Sequence, residues 1–111
     1  MTITPSDNIK KSIEKDISNK AISEVIRDRI KLQKMRYHAN DNISDFINPG
    51  ELENLQIEVA SKVRELLKSL VIDIENDHNS QETAERVAKM YLKEVFKGRY
   101  HKRPTVTDFP N

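Results

Sequence analysis

The sequence predicts an all-α chain, and three observations carry that prediction. Apolar residues recur at spacings of three and four over long stretches, only two of 111 residues are glycine, and 33% of residues are charged and interspersed between the apolar positions. Hydrophobic residues make up 36% and mean hydropathy is −0.73, so any core is thin and the length suits one domain. The expected arrangement is a helical hairpin preceded by an N-terminal helix and followed by an extended C-terminal tail.

The first element begins near Ser6 or Asp7, either of which is a suitable N-cap. Ile9, Ile13 and Ile17 recur every four residues and are followed by Ala21, Ile22, Val25, Ile26 and Ile30. Ser18-Asn19 is a natural place for this helix to break, because both side chains compete for the backbone. The stripe is narrow, so its partner is another helix or another chain. Residues 38–50 are rich in turn formers and interrupt the pattern.

Pro49-Gly50 then leads into a helix over 50–72, with Leu52, Leu55, Val59, Val63, Leu66, Leu67 and Leu70 on its apolar face. Glu51 and Glu53 open it and Lys62, Arg64 and Lys68 follow, an order that suits the helix dipole. Residues 73–79 form a polar connection. A further helix over about 80–97, started by Asn79 or Thr83, carries Val87, Ala88, Tyr91, Leu92, Val95 and Phe96, and Gly98 suits a left-handed C-terminal residue. The expected core is Leu55, Val59, Val63, Leu66, Val87, Tyr91 and Val95. Beyond Gly98 the chain turns irregular, Thr105-Val106-Thr107 could begin a strand, and Phe109 lies on the extended end.

Charge and composition exclude several function classes. Residues 1–40 carry nine Lys/Arg and five Asp/Glu (+4), residues 41–85 three and eleven (−8), and residues 86–111 seven and two (+5). Basic flanks around an acidic middle favour pairing between segments or subunits over nucleic-acid binding. Arg27, Arg29, Lys31, Lys34 and Arg36 spread over more than one helix face, which leaves no phosphate-binding stripe. With no cysteine, the chain has no disulfide, thiolate zinc site or cysteine nucleophile. The longest apolar run, Leu70-Val71-Ile72, excludes a membrane helix or signal-peptide core, and a cytoplasmic location is expected.

Asp73, Glu75 and Asp77 fail as a calcium loop, because positions six and twelve from Asp73 hold His78 and Ala84 instead of Gly and Glu. His38, His78 and His101 lack ligand spacing. Arg86 is the candidate binding residue. With Thr83 as cap it lies in a first helical turn, where free N–H groups and the dipole favour an anion and a guanidinium adds bidentate contact. A salt bridge to Glu82 or to the acidic middle is the competing role.

The run Glu82-Thr83-Ala84-Glu85-Arg86-Val87-Ala88-Lys89-Met90-Tyr91, followed by Glu94-Val95-Phe96-Lys97-Gly98, resembles the N-terminal helical region of GTP cyclohydrolase I. The family's usual proline after the threonine is Ala84 here. The likeness covers roughly residues 40–111, and residues 1–39 match only a variable N-terminal helical extension. The resemblance implies an enzyme that converts GTP and water to 7,8-dihydroneopterin triphosphate and formate, the first step of tetrahydrofolate and pterin biosynthesis. It also implies a T-fold of α+β class, assembled as a homo-oligomer, in which zinc activates water and Arg86 binds the substrate triphosphate.

The family's zinc ligands are two cysteines and a histidine, one cysteine in a Cys-x-His-His segment downstream of the position matching Asn111. This chain has neither feature. The expectation is therefore a truncated form without zinc or catalytic residues, inactive alone, binding no cofactor, nucleic acid or membrane. The alternative is a small helical interaction or oligomerisation module without catalysis.

Overall fold

A computed structural model describes residues 20–102. In chain order these form α1 (Ile22–Leu32), a 3₁₀ turn (Ser44–Phe46), α2 (Glu51–Ser69), α3 (Thr83–Met90), a π-helical turn (Tyr91–Val95) and α4 (Lys97–Tyr100). Among the described residues there is no strand, and no helix is long and apolar enough to cross a membrane. The expected Ile9/Ile13/Ile17 stripe, the strand at 105–107 and Phe109 lie outside the described residues.

α1 forms because Ile22, Ile26 and Ile30 line one face, with Glu24 in its first turn and Arg29 and Lys31 in its last. Its N-cap, Ala21, supplies no side-chain acceptor. Glu58 of α2 does so instead, accepting from the Ser23 amide at 2.9 Å and the Ser23 hydroxyl at 2.5 Å. At the other end of α1, Arg29 pairs with Glu51 through both guanidinium nitrogens and donates to the Phe46 carbonyl at 3.1 Å. Contacts at Ser23–Glu58 and Arg29–Glu51 make α1 and α2 antiparallel.

α2 starts from a turn in which the Glu51 amide donates to the Asn48 carbonyl at 3.0 Å and Gly50 takes φ +85°. That is a type II turn, with Pro49 and Gly50 at the positions each suits. The end of α2 departs from expectation. The helix closes at Ser69, and Val71 adopts φ +64°, with its amide on Lys68 O and the Ile72 amide on Leu67 O. α1 ends the same way, with Lys34 at φ +56°, its amide on Lys31 O and the Met35 amide on Ile30 O. Both are Schellman closures without glycine. Gly98, expected as such a residue, instead lies inside α4 without a positive φ.

α3 runs back along α2. Arg64 pairs with Glu85, Ala60 meets Ala84 and Ala88, and Leu55 and Leu92 share a cluster. Three alanines at the seam let the two backbones approach closely. The main core is Ile26, Ile30, Ile43, Leu55 and Leu92, flanked by Tyr37, Phe46 and Tyr100 among others.

The expected core is corrected here. Leu55 is buried and Val59, Val63 and Val87 are half-buried, but Leu66, Tyr91 and Val95 are 57%, 41% and 55% exposed. The π-helical turn accounts for one of these, Val95. It is marked by the Phe96 amide donating five residues back to Tyr91 O at 2.9 Å. Ala84, Ala88 and Leu92 stay in phase at spacings of four, and the wider turn then carries Val95 outward. Tyr91 lies on the outer side with its ring stacked on Phe96, centroids 6.2 Å apart.

A polar clasp ties the 37–44 loop to the far end of the described chain. Asn42 Nδ2 donates to Gly98 O (2.9 Å) and His101 O (2.6 Å), while its Oδ1 accepts from the amide and hydroxyl of buried Ser44. The Ile43 amide donates to Arg99 O at 2.8 Å. The Arg99 guanidinium donates to the carbonyls of Tyr37, His38 and Asp41. Arg36 grips Asp41 with two bonds and holds its carboxyl down at about 2. No buried side-chain polar atom is left without a partner among the described residues.

Candidate functional site

Arg86 lies one turn into α3, one position further in than a Thr83 cap would place it. The local start is built by Asn79, Ser80 and Thr83. The Thr83 amide donates to Ser80 O at 3.2 Å, its hydroxyl to Asn79 O at 3.3 Å, and Glu82 is the cap residue. Thr83 is thus the first helical residue. The Arg86 amide donates to Glu82 O at 3.1 Å and belongs to the helix ladder. Its anion-binding capacity resides in the guanidinium.

The Arg86 side chain is 77% exposed, and its guanidinium contacts the carboxylate of Glu82, whose side chain is 76% exposed, at 3.0 Å. The competing role foreseen for Arg86, a salt bridge to Glu82, is therefore present in the structure. Such an exposed pair is worth little in water. Around it lies an open depression of about 440 Å³, lined by Gln56, Gln81, Glu82, Glu85, Arg86 and Lys89. Glu85 is held by Arg64 of α2. Lys89 follows Arg86 by three residues on the same face. With both carboxylates answered by arginines, Lys89 is the cation of this lining that makes no ion pair among the described residues. Gln56, Gln81 and Lys89 were not singled out from sequence. The i, i+3 relation to Arg86 signals Lys89, whereas Gln56 comes from another helix.

The other candidates resolve into local roles. The Asp73 carboxylate accepts the amides of Glu75 and Asn76 at 3.2 Å and the Asn76 side chain at 2.8 Å. Those bonds, led by the Asn76 side chain, hold its pKa down. Asp77 accepts from the Asn79 amide at 3.0 Å. Within the basic run, Arg29 is taken by Glu51 and Arg36 by Asp41. The Arg29 guanidinium in turn keeps the Glu51 carboxyl below its ordinary range. His38, His78 and His101 are exposed, and no group of three His, Asp or Glu side chains suited to a metal occurs among the described residues.

Comparison of the chain with protein-family models, with curated proteins and with solved structures finds no match.

Proposed function

We propose that this chain is the helical front part of a GTP cyclohydrolase I, in which Arg86 grips the triphosphate of GTP. The observation that carries the reading is the run Glu82–Tyr91 with Glu94–Gly98 after it. The placement of Arg86 supports it: the side chain is exposed, one turn into a helix, and restrained only by a solvated carboxylate that a triphosphate can displace. Lys89 beside it adds a second positive charge.

In the family this chain resembles, a bound zinc would supply a water of lowered pKa. The residues of this chain do not fit that ion: cysteine is absent from the sequence, and the described histidines do not converge. What the chain contributes is anion binding and orientation, and the 111 residues alone are expected to release no formate from GTP.

The test is the reading frame beyond Asn111, expressed with this chain and assayed for formate and dihydroneopterin triphosphate. A continuation with Cys-x-His-His is expected, and Arg86→Ala should raise KM for GTP at least tenfold. Its effect on folding should stay within about 0.5 kcal/mol, because the Glu82 pair is exposed. A continuation without those ligands, an unchanged KM, or turnover by the 111 residues alone refutes the proposal.

A second reading, a helical interaction module, is favoured by Leu32 and Met35, which stand 81% and 57% exposed at the end of α1. A discrete oligomer by light scattering, lost on Leu32→Ser, would support it; a monomer would refute it.

A further inference from the structure

We infer that the cavity between α1, the 37–44 loop and α4 binds a small aromatic monocarboxylate, with its carboxylate on Arg27 and its ring over the isoleucine core. The cavity measures about 280 Å³. That is just under the roughly 300–1,000 Å³ typical of sites for drug-sized ligands, so the occupant is small and compact. It shares no lining residue with the depression around Arg86.

The floor is aliphatic and comes from three separate segments. Ile26 and Ile30 follow one another on a single face of α1, Leu55 comes from α2 and Ile43 from the loop, and all four belong to the buried core. None of these side chains offers a hydrogen bond. A water molecule needs about two to four polar partners to be held well, so water over this floor is poorly ordered. An apolar body that displaces such water gains affinity. Tyr37 and Tyr100, both half-buried, add two phenol rings to the lining, which favours an aromatic ring over a flexible alkyl chain.

Charge selects the head group. Arg27 and Arg99 line the cavity and no carboxylate does. Glu58 is engaged instead by the amide and hydroxyl of Ser23. Arg99 directs its two terminal nitrogens to the carbonyls of Tyr37, His38 and Asp41, all neutral acceptors. Arg27 is exposed and makes neither a hydrogen bond nor an ion pair among the described residues. Its whole guanidinium fork is therefore available for bidentate contact with a carboxylate. Two guanidinium charges beside an apolar floor favour an anion over a neutral ligand or a cation.

The walls also come from both sides of the polar clasp. The Ile43 amide donates to Arg99 O at 2.8 Å, the Arg99 guanidinium donates to Tyr37 O at 3.0 Å, and all three residues line the cavity. A ligand seated there stabilises the closed clasp in proportion to its occupancy.

The test is a titration of the full chain with naphthoate, followed by methyl NMR and amide exchange. One site per chain is expected, with shifts at Ile26, Ile30 and Ile43 and slower exchange of the Ile43 amide. The neutral isostere naphthamide and the cationic naphthylmethylamine should each bind several-fold more weakly. Arg27→Gln, at an exposed side chain without partners, should leave the urea midpoint unchanged and weaken naphthoate about tenfold, as loss of a charge-assisted contact does. Lys93→Gln, at an exposed lysine outside the lining, should leave the affinity as it is. No step involves GTP, so the outcome is independent of the reading of Arg86. Absence of saturable binding, as when another segment or a second copy fills the cavity, overturns the inference. So do shifts confined to other isoleucines, equal binding of naphthamide, tighter binding of naphthyl phosphate, or an unchanged affinity in Arg27→Gln.

Discussion

Leu92 and Val95 lie three residues apart in the π-helical turn, and the fold assigns them opposite fates. Leu92 is 2% exposed and Val95 is 55% exposed. Leu92→Ala removes three carbons from the main core, about 2.4 kcal/mol at ~0.8 kcal/mol per buried carbon. The cavity left beside Ile26, Ile30 and Leu55 adds to this, for a total of about 3–5 kcal/mol. For a domain of this size that lowers Tm by more than about 10 °C. Val95→Ala removes two carbons already more than half in water, about 0.7 kcal/mol, offset by up to ~0.5 kcal/mol of better helix propensity. Its net cost is below about 0.5 kcal/mol. Urea unfolding of the two variants, followed by far-UV circular dichroism, measures the difference. Equal losses, or a larger loss for Val95→Ala, would show a regular α-helix through 91–95 and refute the assigned register.

Asn42→Ala deletes two donated and two accepted bonds and strips buried Ser44 of its partner, a loss of about 2–3 kcal/mol, with faster amide exchange at Ile43. Val71→Gly, at φ +64° and 92% exposed, should stabilise by about 0.5–1 kcal/mol in the same urea assay. Asp41 has its folded pKa depressed to about 2, so its stabilising effect is complete above its unfolded value of ~3.9 and is lost as pH falls from there through about 2. Glu51, lowered by Arg29, acts in the same sense. Asp41→Asn should remove part of that acid dependence, seen as a flatter urea midpoint between about pH 4 and 2.

The helical class and α2 were legible because period 3.6 is written over twenty residues in leucine and valine. The end of α2 was not, since a Schellman closure on Val71 puts a β-branched residue where sequence logic expects glycine. The seam was hidden for a different reason: Ala60, Ala84 and Ala88 carry too little hydrophobicity to mark a face, yet their small size brings α2 and α3 together. Ile43 sits in a loop whose composition reads as pure turn, although it is 5% exposed. For the candidate site, the Glu82 partner of Arg86 followed from i, i+4 spacing, whereas the helix start did not, since Glu82 and not Thr83 is the cap residue. The approach of Gln56 depended on helix pairing that no local pattern encodes.

The Asn42–Arg99 clasp carries an expectation about the order of folding. Its hydrogen bonds join residues 56 to 62 positions apart, in a chain whose helix contacts are otherwise mostly close in sequence. Closing so long a loop carries an entropic cost that grows only logarithmically but is met before the bonds repay it. The α2–α3 pair is therefore expected to assemble early, and the junction of the first loop with the last turn to form after the transition state. Weakening the clasp should accordingly quicken unfolding and leave the refolding rate almost unaltered.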